Sequence, residues 1–478
     1  MTDAEPCAAP GAQAKTNEGA HPHAHDSDVV REFGGTKGVA AIMVLSHALL
    51  YYMWIAWRYA GGAAPHPVGV ADIGPWLGRM WAHVVEGASP SLWALGIYAA
   101  FLAQQSIFAV VMPGFDVKGL PIPSENGRRL DYRCNALACW YGTLVLAAAL
   151  HCSGIFPLQR LYERFGELMT VAILASNAVA VAAFVAAHLR RRTHRMSGSF
   201  IYDFFMGAEL NPRIGALDLK MWAEIRVSWI LLFLLTAGAA AHQYATHGVL
   251  SAPLIFMLLA HGLYTNACMK GDECIPATWD FFYEKWGWML IVGNLAGVPF
   301  LYCFNSMYLA SRPPIAHSAA YTIFCFSLLL AAYYVWDTSL AQRVHFRMQE
   351  RGTYIKRKAF PQLPWNTLEN PRFIQTAHGN RLLVDGWWRY ARKVPNVADA
   401  VMALSWGLVC GFDAFLPYLY FCFFVVMITH RASRDVARCR KKYGADWKRY
   451  EEAVPWVFIP GVWTVLVAFA SLVGRSSS

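Results

Sequence analysis

The sequence predicts an all-α, multi-pass membrane protein of about ten transmembrane helices. Three observations lead there. Of 478 residues, 56% are apolar and only 15% are charged, where a soluble globular chain carries about 25% charged residues. Mean hydropathy is +0.31. The apolar residues gather into runs near the roughly 20 residues that a bilayer core asks of a helix, and the lysines and arginines fall between those runs.

The formal net charge of +10 does not point to nucleic acid, because that partner needs cations spread over a folded polar surface rather than between apolar runs. The 11 cysteines are scattered, several within apolar runs (Cys325, Cys410, Cys422), with no CxxC pair. Buried thiols are therefore expected, with no disulfide framework and no metal site.

Residues 1–32 are polar and lack the charged start, apolar stretch and cleavage site of a secretory signal, so they read as a disordered cytosolic tail. His21, His23 and His25 could bind a metal, but a short Ala/Pro/His tract is more often solvated linker. The expected spans then follow at 39–57, 92–112, 136–155, 168–189, 227–241, 250–264, 286–309 and 319–337. The run 401–429 is too long for one span, and Gly411 and Pro417 near its middle predict a helical hairpin with short arms. A further stretch, 456–473, is interrupted by Pro460 and either spans or lies at the interface. Residues 33–310 make an N-terminal transmembrane half and 311–478 a C-terminal membrane half.

Basic residues set the expected orientation. Arg128 and Arg129, the RRRTHR run from Arg190, Lys270 with Lys285, the stretch beyond Arg343 and the C-terminal cluster all follow even-numbered spans. The positive-inside rule places those loops, and the N-terminus, in the cytosol. The connection 338–400 is the longest hydrophilic one, and its aromatics and prolines predict packing against the last spans rather than disorder.

Three polar clusters stand out. In HRASRDVARCRKKYGADWKRYEEAVPW, a helix would bring Arg431, Arg434, Asp435, Arg438 and Lys442 to one face. That face suits a dinucleotide phosphate, since arginine offers a planar fork for its oxygens; it also suits a snorkelling belt of cations at a membrane edge. In WDTSLAQRVHFRMQERG, Arg343 and Arg347 sit one turn apart, either as a phosphate clamp or as a basic interface. RLLVDGWWRYARKVPNVAD combines Trp387, Trp388, Asn396 and Asp399, rings that could stack on a nucleotide or form an interfacial belt. No GxGxxG follows a predicted strand, so a Rossmann domain is not expected. Near the end of the sixth run, Tyr264, Asp272, Glu273 and Asp280 are functional candidates if they are held at membrane depth, and otherwise an interfacial phenol with acids in loop water.

EFGGTKGVAAIMVLSHALLYYMWIA, MSGSFIYDFFMGAELNPRIGALDLKMWAEIR, NACMKGDE, TWDFFYEKWGWML, RGTYIKRKAFPQLPW and HRASRDVARCRKKYGADWKRYEEAVP resemble the sterol reductase family from about Glu32 to Pro460. Their wording is most similar to the branch that reduces the C-24(28) double bond, rather than the C-14 or C-7 branches. The resemblance implies ten helices, NADPH held by the C-terminal half, a sterol entering from the bilayer among membrane lipids, and residence in the endoplasmic reticulum. It implies cofactor contacts at Arg343, Arg347, Leu383, Trp388, Asn396, Asp399, Arg431, Asp435, Cys439, Tyr443 and Tyr450. It aligns Tyr264 with a tyrosine proposed as proton donor in related reductases; Asp272 or Glu273 are the expected relay partners, and the spacing of Asp435 from Arg431 suits it to positioning the cofactor. Two departures stand out: Arg343 replaces a lysine, and PNVAD replaces an NY or HY pair before the aspartate.

An isolated alkene is a poor hydride acceptor, so the expected chemistry protonates C-28, places charge on tertiary C-24 and delivers hydride there. Two other function classes fit parts of the chain. A membrane S-adenosylmethionine-dependent methyltransferase shares the C-terminal helical cofactor region but leaves the first half unexplained. A non-catalytic sterol-binding protein would be favoured by an added folded recognition domain.

Overall fold

The computed structural model describes residues 31–122, 125–355 and 359–461. His21, His23, His25 and most of the stretch 456–473 lie outside them. Among the described residues, eight helices are long and apolar enough to cross a bilayer: α1 (Gly35–Tyr59), α2 (Leu92–Val111), α4 (Phe165–Leu189), α5 (Leu219–His247), α6 (Ala252–Lys270), α7 (Trp288–Ala310), α8 (Ala319–Glu350) and α10 (Leu416–Tyr443). A shorter apolar helix, α3 (Ala136–Cys152), lies between α2 and α4, and the 15-residue α9 (Val394–Leu408) lies between α8 and α10. A short polar helix, α11 (Ala445–Ala453), closes the described chain.

The expectation of about ten spans thus becomes eight full-length helices and two short ones. The hairpin expected over 401–429 joins α9 to α10: α9 stops at Leu408, the chain turns at Gly411 (φ 81°) and Pro417 stands in the first turn of the next helix, but only the first arm is short, since α10 runs 28 residues to Tyr443. The eighth span runs further than its apolar residues suggest. At 32 residues, α8 is about 48 Å long and outreaches a hydrocarbon core of roughly 30 Å, so its last three turns carry Arg343 and Arg347 past the apolar layer.

Two helices widen into π turns, Trp222–Ser228 within α5 and Gly293–Gly297 within α7. Among the described residues, strands are confined to three antiparallel hairpins: β1 (Phe115–Lys118) with β2 (Asp131–Cys134), β3 (Arg213–Ile214) with β4 (Leu217–Asp218), and β5 (Phe373–Gln375) with β6 (Arg381–Leu383). None resembles a nucleotide-binding sheet.

The basic loops converge on one end of the bundle. Arg434 of α10 pairs with Glu32 just before α1, His194 lies 3.9 Å from Glu125, Arg438 covers the Trp279 ring at 5.0 Å and Lys270 bonds Asp337 at 2.5 Å. At that end the motifs YDFFMGAELNPR and YEKWGW cross backbone on backbone. Gly207 has φ +93°, and a Cβ there would meet the Gly287 nitrogen at 2.5 Å, so only glycine fits. Trp286 N–H donates to Glu209 O at 2.9 Å and locks the crossing. Lys285 beside it donates to Arg195 O at 3.0 Å, and burial pulls its ammonium down to about 8 despite neighbouring Asp203.

Of the connection expected at 338–400, residues 338–350 extend α8 and 394–400 begin α9, and the described residues between them pack against the helices as composition predicts. Asn266 donates to Phe360 O (2.8 Å), Lys270 to Pro361 O (3.1 Å) and Gln342 to Trp365 O (2.8 Å), seating residues 360–365 across α6 and α8.

Candidate active site

Two neighbouring assemblies emerge at the polar end. The first is aromatic. Tyr264 of α6 stacks on Trp336 of α8 at 4.9 Å, meets Trp229 of α5 at 4.7 Å and turns edge-on to Trp406 of α9 at 6.4 Å. Tyr420 of α10 stacks on Trp406 at 5.2 Å and touches Tyr302 of α7 at 4.6 Å. Into this ring α9 sends Asp399, whose carboxyl lies on the Tyr264 side and interacts with its phenol. Tyr264, Tyr302, Asp399 and Tyr420 each keep part of their surface accessible although helices enclose them, so they line an internal chamber.

The second assembly is cationic. Arg343 lies over the Trp388 ring at 4.7 Å, with Arg347, Tyr450, Asp435 and Arg431 around it. Arg347 reaches Glu350 at 3.4 Å. Asp435 is ion-paired with Lys393, and Cys439, one turn on, is adjacent to both. The sequence builds the floor of this site through DGWW. Gly386 has φ +58°, and a Cβ there would strike Gln342 Oε1 at 2.4 Å. That close approach lets Gln342 accept from Trp387 N–H at 2.9 Å, while the indoles donate to Thr338 Oγ1 (2.9 Å) and Ser339 O (2.9 Å).

Beyond the floor, Leu383 on β6 is buried with Phe346 and Trp388. Tyr450 is buried with Leu382, Trp447 and Val454, and burial pushes its phenol up to about 12 against the pull of Arg392 and Arg343. Burial also works against the Glu451 carboxylate, but Arg392 and Arg440 outweigh it and hold its pKa below the ordinary value. Tyr443 accepts from Asn380 Nδ2 at 2.8 Å.

The sequence-named residues therefore divide. Arg343, Arg347, Trp388, Arg431, Asp435, Cys439 and Tyr450 gather in the cationic assembly, with Leu383 in its floor and Tyr443 at its edge. Asp399, expected beside the cofactor, is placed beside Tyr264. Asn396 stands one turn before it, in the first turn of α9. Asp272 and Glu273, named as relay partners, belong to neither assembly: Asp272 Oδ2 is buried and accepts from Ala136 N–H at 2.9 Å, at the start of α3, and Glu273 is near His345. Sequence reasoning missed Lys393, Trp229, Tyr302, Trp336, Trp406 and Tyr420. Phenol groups at 302 and 420 inside apolar runs were the available signal, since a buried hydroxyl seeks a partner.

An apolar groove of about 470 Å³ lies against α8 and α9, lined by Leu328, Val335, Val394, Val401 and Phe458 among others. Ala398 borders this groove while the next residue, Asp399, faces the chamber.

The donor set fits a dinucleotide. The four cations Arg343, Arg347, Lys393 and Arg431 outnumber the two carboxylates Glu350 and Asp435 among them, leaving positive charge for phosphate. Fold and site thus define a class: a polytopic membrane protein with a phenol–carboxyl pair in an aromatic interior and a cationic site opening beside it.

Comparison with known proteins narrows the class. The family described as "Ergosterol biosynthesis ERG4/ERG24 family" matches residues 27–463. The Delta(24(24(1)))-sterol reductase erg4A of Aspergillus fumigatus is 44% identical over 450 residues, 94% of each chain. The Delta(24(24(1)))-sterol reductase of Gibberella zeae is 45% identical over 437 residues, 90% of this chain and 73% of its own. The Delta(14)-sterol reductase of Methylotuvimicrobium alcaliphilum is 33% identical over 440 residues, 91% of this chain and 97% of its own. The chain belongs to the ergosterol biosynthesis ERG4/ERG24 family. It is accordingly an oxidoreductase of the sterol reductase class, which sets aside the methyltransferase and non-catalytic readings.

Proposed function

We propose that the protein uses NADPH to reduce the C-24(28) double bond of a 24-methylene sterol taken from the endoplasmic reticulum membrane, a late step of ergosterol-type biosynthesis. The observation that carries this reading is the Tyr264–Asp399 pair inside an aromatic chamber, beside a site with unbalanced positive charge. The two fungal relatives named for the 24(24(1)) bond, at 44% and 45% identity, favour that alkene over the C-14 bond of the 33% relative.

In this mechanism Arg343, Arg347, Arg431 and Lys393 would hold the phosphates of the cofactor, while Trp388 braces Arg343 and Asp435 fixes Lys393. NADPH bound there would supply the hydride. Tyr264 gives its hydroxyl proton to C-28, and Asp399 orients that hydroxyl. The indoles of Trp229, Trp336 and Trp406 exclude water that would otherwise trap a carbocation, and their π faces favour nearby positive charge. The apolar groove beside α9 gives a sterol a surface to approach from the bilayer.

The test is mass spectrometry of sterols after reconstituted protein is incubated with NADPH and, separately, a 24-methylene sterol or a C-14 alkene. A gain of two hydrogens on the 24-methylene sterol is expected. Reduction of the C-14 alkene alone would replace this substrate by the other.

A further inference from the structure

Tyr264 must regain its proton after every turnover, and it sits in an apolar chamber. Helices α5 and α6 are joined by the tight turn at Gly248 and run antiparallel, so a step forward along one is matched by a step back along the other. Their register is fixed where Trp229 packs on Tyr264 at 4.7 Å and Thr265 Oγ1 donates to Trp229 O at 3.2 Å. One turn nearer the polar end, α6 presents Cys268 and α5 presents Glu224. Cys268 is close enough to feel the charges of both Asp399 and Glu224.

Glu224 belongs to the π turn Trp222–Ser228, a wide winding that occurs often at functional sites. Its Oε2 is buried and has no hydrogen-bond partner among the described residues, which is unusual for a carboxyl oxygen. On its outer side Glu224 interacts with Asp280, Lys220 and Arg431. Lys220, fully buried, bonds the carbonyl oxygens of Asp280 and Glu284 at 2.6 Å each, which anchors the helix one turn before Glu224 to the polar loop at the end of the bundle. Trp279 in that loop is exposed.

We propose that Glu224 is the proton-supply residue of the chamber, returning a proton to the Tyr264–Asp399 pair after each reduction. The inference rests on the reading of Tyr264 as donor. The O–H bond of the Glu224 carboxyl breaks as the Tyr264 O–H bond re-forms, the proton passing between them through water. The Glu224 carboxylate then takes a proton from solvent at the Asp280 side. No electrons move at Glu224, and the balance per turnover is one solvent proton and one hydride added to the alkene.

The test compares first and later turnovers in Glu224→Gln, which keeps the shape and loses the transferable proton. With enzyme in excess over the 24-methylene sterol, the single turnover stays within about twofold of wild type and NADPH affinity is unchanged, while the steady-state rate falls about tenfold or more, within the range of acid–base effects. The solvent deuterium isotope effect on the steady state rises, and Glu224→Asp, which keeps a carboxyl, recovers part of the rate. A wild-type steady-state rate in Glu224→Gln overturns the proposal, and so does an equal loss in single and multiple turnover. Tyr264→Phe in the same assay loses the single turnover. Were Tyr264→Phe to keep it, the donor assignment would fall, and the contrast between first and later turnovers in Glu224→Gln would still decide the role of Glu224.

Discussion

The ring of Tyr264 stacks on that of Trp336 with centroids 4.9 Å apart and 23° between planes, joining α6 to α8 where α8 leaves its apolar stretch. The stack holds the phenol by its face and leaves the hydroxyl to Asp399. Ring and hydroxyl therefore have separate roles, and a substitution can remove one without the other.

Tyr264→Phe keeps the stack and loses the proton. NADPH and sterol binding change little, the melting temperature holds, and kcat falls about 100-fold to 10,000-fold, the usual range for a general acid. Steady-state assays beside thermal denaturation check this. A well-folded variant at the wild-type rate would move the proton donor elsewhere.

Arg347→Ala and Arg431→Ala weaken NADPH more than NADH, because the lost guanidinium matters more to the cofactor with the additional phosphate. The expected loss for NADPH is on the order of 2 kcal/mol or more for a buried charge-assisted contact. Titration of both cofactors measures it, and equal weakening would deny either arginine a role at the 2′-phosphate.

Asp435→Ala abolishes turnover in a folded protein and leaves Lys393 without its carboxylate partner. Asp435→Ala, Lys393→Ala and the double variant form a cycle on NADPH binding, with an expected coupling of about 0.5–3 kcal/mol for two residues in contact. Additive losses would mean that the pair does not act as a unit.

Asp272→Ala acts on stability rather than on chemistry. Its carboxylate accepts from the first N–H of α3, and losing such a cap costs about 1 kcal/mol, up to about 2. Thermal unfolding in detergent shows a lowered midpoint while the single-turnover rate is kept. A selective loss of single turnover at an unchanged midpoint would return Asp272 to the proton path.

Much of the fold was legible in the sequence because bilayer thickness imposes its own period. An apolar run near 20 residues flanked by cations reads as a span without knowledge of its neighbours, and the hairpin at Gly411 and Pro417 reads from backbone chemistry alone. Part of the cationic assembly was legible for a similar reason: Arg431 and Asp435 lie one turn apart on a single helix, so local geometry already aligns them, whereas Arg434 and Arg438 of the same expected face turn to Glu32 and Trp279. The cap formed by Asp272 was not legible, because its partner Ala136 is 136 residues away and a buried acid looks the same in sequence whether it caps a helix or carries a proton.

The sequence by itself determined that the protein is a helical membrane protein, which end of the bundle gathers the basic loops and which family it belongs to, since hydropathy, charge placement and motif wording are properties of the chain order. The tertiary structure decided that Asp399 of α9 meets Tyr264 of α6 inside a ring contributed by α5, α7, α8 and α10, and that Lys393 partners Asp435. Those contacts depend on how helices distant in sequence rotate about their axes and pack, which no spacing along one helix encodes.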